Sequence, residues 1–475
     1  MKPGLSVLGA LAVPGLILAM FWLADIRPGY FANVTYLGGL LLLEVVVVSV
    51  WHYERSFLPI LMLSFLWAGC SLPMAGAGAA VRWVFLLVGA VVGIVKWAER
   101  DQRQPFRAFH LIALLCVLAA VVSSLVSNHP AISLLKAGSL MMLFLYGCCG
   151  ARIAVADRQA VFFRGLLTAC EGATYLVGFT YVLARYEVFG NRNSLGAIMG
   201  VVVIPVLAWG VLVSEGRFPR HRRGLALGIA IYLLYSSVSR AGILASGLAI
   251  ILMCIALRRG SLLLKGALAV IFLVAGVAVV QPSQFDALVS SFTNDVIYKG
   301  KPEQGLLGSR DSPWQNTVQV IKQSPWFGSG FGTDSARDYK AEPGSIFRTT
   351  EGSAREHGNS YLALLQYVGL LGVVPFAIFL AMVSAMIYRV FFWIWKTRDA
   401  GHHALPLALI CVAGLTHAFF EDWLFAVGYY LNVFFWISAF LLSDLQPQSV
   451  RKQVLRTAWG QAPVGSSPFP VSASQ

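Results

Sequence analysis

The chain has 475 residues, 57% of them hydrophobic and only 12% charged, with a formal net charge of +14. Soluble domains carry about 25% charged residues, so the composition excludes an ordinary soluble protein. The basic excess sits in short connections between apolar runs, the pattern of the positive-inside rule. No nucleic-acid-reading motif accompanies it, so no nucleic-acid partner is expected.

The apolar runs set the fold class. A spanning helix needs about 20 mostly apolar residues, whereas a membrane β-barrel shows alternating segments of about 10. In chain order the runs cover residues 5–23, 32–50, 57–72, 81–95, 109–126, 132–150, 166–183, 194–212, 225–236, 242–256 and 262–280. After a long polar interruption come 361–388, 405–419 and 424–442. The expectation is an all-α, polytopic membrane helix bundle of about 12–14 transmembrane helices with one long periplasmic loop. Met1-Lys2-Pro3 and the run 5–23 resemble a signal peptide, but the run is long and no small-residue cleavage site follows it. It reads as a first spanning helix that is retained.

Lys and Arg give the orientation. Alternate connections hold Arg100/Arg103/Arg107, Arg152/Arg158/Arg164, Arg217/Arg220/Arg222/Arg223, Arg258/Arg259/Lys265, Lys396/Arg398 and Arg451/Lys452, and these read as cytoplasmic. Both termini then face the cytoplasm. The connections 185–193, 237–240, the long loop and Glu421-Asp422 face outward. The stretch 225–257 could be one helix, but that would leave Arg240 near the bilayer centre at a cost of a few kcal/mol or more. Two helices turned at 236–242 put it at the outer face.

The long loop is interspersed with Trp314, Val318, Val320, Ile321, Trp326 and Phe327. Their spacing predicts an amphipathic helix over 312–322, with Pro313 in its first turn and Ser324-Pro325 as its stop. Gly328, Gly330 and Gly332 then allow a tight turn. The chain divides into N-terminal helices (1–190), helices with outer-face arginine turns (191–280), the periplasmic loop (281–358), C-terminal helices (359–445) and a disordered cytoplasmic tail (446–475), rich in Pro, Ser and Gln. The seven cysteines all lie in or beside apolar runs. They suit small core residues better than a disulfide framework or a metal site.

The outward-facing polar inventory is Arg192, Arg240, Arg310, Arg337, Arg348, Arg355, Glu356, His357, Glu421 and Asp422, of which Arg337, Arg348 and Arg355 read as solvated loop charges. One histidine and scattered carboxylates suit no metal site, and no cofactor is expected. Arginine forks bind phosphate oxygens bidentately and stay charged. Histidine can take a proton from a hydroxyl near neutral pH. Together they suit glycosyl transfer from a lipid-diphosphate donor. Arg192, Arg240 and Arg310 would hold the leaving diphosphate in place of a metal, and His357 would activate the acceptor hydroxyl for inverting attack. Plainer roles stand beside these. A histidine at a helix start is often only an interfacial polar group, and Asn359 can serve as a helix cap. Glu356 is a supporting candidate. Glu421-Asp422 either cap the outer face or orient His357 or an acceptor sugar. Asp311 could pair with Arg310 and weaken its hold on phosphate.

Several short motifs recur in order: Ser239-Arg240-Ala241-Gly242, Gly308-Ser309-Arg310 to Trp314, Pro325 to Gly328-Ser329-Gly330, and His357-Gly358-Asn359-Ser360-Tyr361-Leu362. Gly369-Leu370-Leu371-Gly372 follows, and Asn191-Arg192-Asn193 precedes them. In this the chain resembles the O-antigen ligase/polymerase family of polytopic bacterial glycosyltransferases, over roughly 191–436. The resemblance implies an inner-membrane enzyme that uses undecaprenyl-diphosphate-linked glycans at its periplasmic face without a metal. It also implies diphosphate-binding roles for Arg240 and Arg310 and an acceptor-activating role for His357. The acceptor would be a second glycan, for a polymerase of O-antigen or exopolysaccharide repeats, or lipid A-core or protein, for a ligase. A flippase and a chain-length regulator are further partner candidates. A transporter would instead place charges near the bilayer midplane between repeated halves. No matching halves are visible, and the charges gather at one face.

Overall fold

The computed structural model describes residues 34–71, 75–99, 105–183, 185–189, 191–280, 308–333 and 357–447, with a few isolated residues elsewhere. The expected first span at 5–23, the loop stretches 281–307 and 334–356 (Glu356, Arg337, Arg348 and Arg355 among them) and the tail beyond 447 lie outside the described residues.

Helices make up all the regular structure described, apart from one isolated bridge between Val427 and Tyr429. They are α1 (Val34–Trp51), α2 (Leu58–Ala68), α3 (Ala75–Glu99), α4 (Ala108–Leu125), α5 (Pro130–Val155), α6 (Gln159–Val182), α7 (Arg192–Val213), α8 (Arg217–Ser236), α9 (Arg240–Ala256), α10 (Gly260–Val280), α11 (Gly308–Gln323), α12 (Ser360–Thr397), α13 (Ala404–His417) and α14 (Tyr430–Leu445). Within α3 to α7 and in α12, six stretches are long and apolar enough to cross a membrane, and shorter apolar helices accompany them. The protein is a polytopic helical membrane protein.

Two sequence expectations are corrected in detail. The loop helix α11 begins at Gly308, so Pro313 lies inside it and not in its first turn. The final helix begins at Tyr430, because residues 418–429 form a turn-rich connection between α13 and α14. The division of 225–257 into two helices holds. α8 ends at Ser236, Val238 takes a positive φ of 55°, and the Ser239 hydroxyl caps α9 by accepting from the Gly242 amide.

Aromatic packing fastens the bundle. Phe379 on α12 stacks on Phe109 of α4 at 5.2 Å and on Trp436 of α14 at 4.6 Å, and all three are buried. Small residues let α7 and α9 approach closely, as membrane helices require. A side chain at Gly200 would lie 2.5 Å from the Gly242 carbonyl oxygen, and one at Gly196 would collide with Ser239. That contact fixes the start of α9, and with it Arg240.

We call the end of the bundle that carries residues 357–360 the site end. There α12 is not one continuous helix. Gly369 has φ 67° and ψ −175°, which breaks it after nine residues. The groups freed by the break pair with the glycine-rich turn. Ser329 N donates to Gln366 O at 2.8 Å and Gly330 N to Tyr367 O at 3.2 Å. In return Leu370 N donates to Pro325 O at 2.8 Å and Leu371 N to Trp326 O at 3.1 Å. Gly328, Gly330 and Gly332 all have positive φ, as such a turn demands. The α4–α5 hairpin grips its far side. The Ser127 hydroxyl donates to Ser329 O at 2.8 Å, Ser133 donates to Phe331 O at 3.1 Å, and the Lys136 ammonium donates to Gly332 O.

Candidate active site

Three segments meet at the site end: the start of α11, residues 357–360, and the connection between α13 and α14. Asn359 opens α12 as its cap, its side chain accepting from Tyr361 N at 2.8 Å and Leu362 N at 3.1 Å. The next residue ties α12 to the α13–α14 connection. The Ser360 hydroxyl donates to Glu421 O at 2.6 Å and accepts from Trp423 N at 3.0 Å and Leu424 N at 3.1 Å. With that turn fixed, Glu421 and Asp422 present their carboxylates to two different partners.

Asp422 takes His357. The His357 backbone amide donates to Asp422 Oδ2 at 3.2 Å, and the ring Nδ1 lies 2.7 Å from the same oxygen. In the neutral ring the nitrogen facing the carboxylate carries the proton, which leaves the lone pair on Nε2. Nε2 is buried and has no hydrogen-bond partner among the described residues. Tyr367 packs edge-on against the ring at 5.3 Å. As Tyr367 also pairs with the glycine-rich turn, the turn and the histidine share a wall.

Glu421 takes Arg310. The guanidinium Nη2 lies 2.5 Å from Glu421 Oε1, with side chains only 13% and 26% exposed. The neighbouring Asp311 accepts instead from Gln315 at 2.9 Å. The counter-ion of Arg310 is therefore Glu421, 111 residues away in sequence. Gly358 lets the guanidinium press against the backbone. It has φ 63°, and a side chain there would meet Arg310 Nη1 at 2.8 Å. Its carbonyl accepts from Trp314 Nε1 at 3.2 Å, so α11 docks on the His-Gly-Asn turn through both Arg310 and Trp314.

Arg240 approaches from the bundle, close enough to Arg310 for their charges to act on each other. His417, at the end of α13, also feels the Arg310 charge. Its Nδ1 accepts from Trp423 Nε1 at 2.8 Å. Arg240, Arg310, His357, Asn359, Glu421 and Asp422 thus share one end of the bundle. Arg192 is engaged elsewhere. It pairs with Glu187 at 3.1 Å, its side chain is 62% exposed, and it lines a separate recess with Tyr181 and Phe189.

Residues 225–377 match the family model described as O-antigen ligase. The similarity to that family covers about a third of the chain. The matched segment includes Arg240, Arg310, His357 and Asn359, while Glu421 and Asp422 lie beyond its end. A Haemophilus influenzae protein, named only as uncharacterized, is 30% identical over 112 residues. The alignment covers 23% of this chain and 26% of that protein, so it spans about a quarter of the relative's length.

Sequence reasoning passed over Arg82 and Lys136, and took Ser360 only as part of a motif. Arg82 on α3 donates to Gly428 O at 2.5 Å, in the connection that carries Glu421 and Asp422. Lys136 holds the glycine-rich turn. Each is a lone charge inside an apolar run, which is by itself a functional flag in a membrane protein. Ser360 gave no such signal.

Proposed function

We propose that the protein is a membrane glycosyltransferase that joins an undecaprenyl-diphosphate-linked glycan to an acceptor hydroxyl on the periplasmic face of the inner membrane. The observation that carries the reading is the His357–Asp422 pair beside two converging arginines. His357 Nε2 takes the proton of the acceptor hydroxyl, while Asp422 fixes the tautomer and stabilises the imidazolium that forms. The acceptor oxygen bonds to the anomeric carbon as the bond from that carbon to the diphosphate oxygen breaks. Attack opposite the leaving group inverts the centre. Arg310 and Arg240 take up the negative charge growing on the departing diphosphate, a role that requires fixed positive groups and not a metal as such. The family match supports the donor and acceptor classes.

The reaction we favour is polymerisation of O-antigen or exopolysaccharide repeats. Transfer of a finished glycan to lipid A-core or protein is the second reading, favoured by the ligase description of the matched family. A deletion strain separates them. Accumulation of single-repeat lipid-linked glycan identifies a polymerase, and accumulation of long lipid-linked chains a ligase. Purified protein that leaves lipid-linked glycan unchanged in the presence of either acceptor would overturn both.

A further inference from the structure

The Arg310–Glu421 pair poses a question that the transfer reaction does not answer. A group meant to grip a diphosphate is already held by a carboxylate at 2.5 Å, in a partly buried setting where ion pairs are weakly screened. The carboxylate belongs to the dipeptide whose other member holds the base, His357. Its backbone is pinned by Ser360, so Glu421 stays within reach of Arg310 when the donor arrives.

We propose that Glu421 is a built-in competitor that expels the lipid-diphosphate product; this rests on the glycosyltransferase reading above. The donor diphosphate is esterified at both ends and carries about two negative charges. Transfer frees one end, which exposes a further phosphate ionisation with a pKa near 6. The leaving product is thus more anionic than the donor, and an arginine site bare of counter-ions would bind it more tightly than the substrate it must admit next. Glu421 offsets the slow product release that would follow. It swings aside for the donor and competes for Arg310 once glycan transfer is complete, so the product is displaced by an internal anion. The carboxylate weakens the binding of donor and product alike and speeds turnover when release is slow. This also explains why acidic Glu421 faces a site built for anions.

The test uses the full chain in detergent with inorganic pyrophosphate as probe. Its dissociation constant is measured for the wild type, E421Q, E421D and R310A, with thermal melting to check folding. We expect E421Q to bind pyrophosphate about three- to tenfold more tightly, with a lower KM for lipid-linked donor and a lower kcat. E421D keeps the charge on a shorter arm and should fall between the two, which also serves if E421Q folds poorly. R310A should bind at least about tenfold more weakly. If R310A weakens binding but E421Q binds no more tightly than wild type, the release role is wrong and the site stands. If R310A leaves binding unchanged, the diphosphate reading itself fails.

Discussion

Arg152 and Arg310 each face a carboxylate, at opposite ends of the bundle, and they are used differently. Arg152 is 2% exposed. Its guanidinium donates to both oxygens of Asp444, at 2.6 and 3.0 Å, and to the Cys148 and Pro105 carbonyl oxygens at 3.2 Å. Its donors are spent on the fold. Nearby in kind, Glu171 is held between Arg222 at 2.8 Å and Arg223 at 2.9 Å. At the site end, among the described residues, Arg310 makes one ion pair, Arg240 sits within its field, and His357 keeps an unpartnered Nε2. A saturated arginine is a bolt. One with a single ion pair among the described residues, next to a histidine, is equipped to meet a substrate.

Substitutions at the two ends can break this comparison. The largest effect is expected from His357→Ala, which should lower glycan transfer by about 10²- to 10⁴-fold with unchanged protein in the membrane, read from the lipid-linked glycan profile. Asp422→Asn should follow it in activity while leaving the melting temperature close to wild type. At the other end Arg152→Ala should cost about 3–5 kcal/mol of stability, since it strands Asp444, whereas the paired change R152M/D444L should be close to neutral. Melting and membrane yield report both, and the folded fraction should keep its specific activity. Loss of turnover in folded R152M/D444L would erase the distinction.

The fold class, the helix break at 236–242 and the loop helix were all legible in the sequence, because hydropathy, caps and breakers are local signals. His357, Arg310 and Arg240 were legible as residue types at an outer face. Their partners were not. Asp422 lies 65 residues from His357 and Glu421 lies 111 from Arg310, and only packing of α11 and α12 against the α13–α14 connection brings them together. The local candidate for Arg310, Asp311, turned to Gln315 because the two stand four residues apart on one helix. The break at Gly369 was hidden for the opposite reason. It lies in an unbroken apolar run, and glycines are common in membrane helices without breaking them.

Two smaller effects sharpen the same contrast. Gly369→Ala would force a side chain into positive φ, at roughly 1–3 kcal/mol, and against the Trp326 carbonyl. It should lower the melting temperature and speed hydrogen exchange at Leu370 and Leu371. The smallest effect is expected at Arg192, a candidate from sequence that is exposed and paired with Glu187. Arg192→Ala should change transfer by no more than about twofold. A loss comparable to that of His357→Ala would bring this arginine back into the site.

The pairing at Gly369 has a mechanical consequence. A helix break leaves amides and carbonyls that cost several kcal/mol for each group left buried and unpaired. Here the turn 325–330 satisfies them. To swing away it would have to break its hydrogen bonds to Gln366, Tyr367, Leu370 and Leu371 together. The turn is therefore a keystone and not a gate. It seals the break in α12.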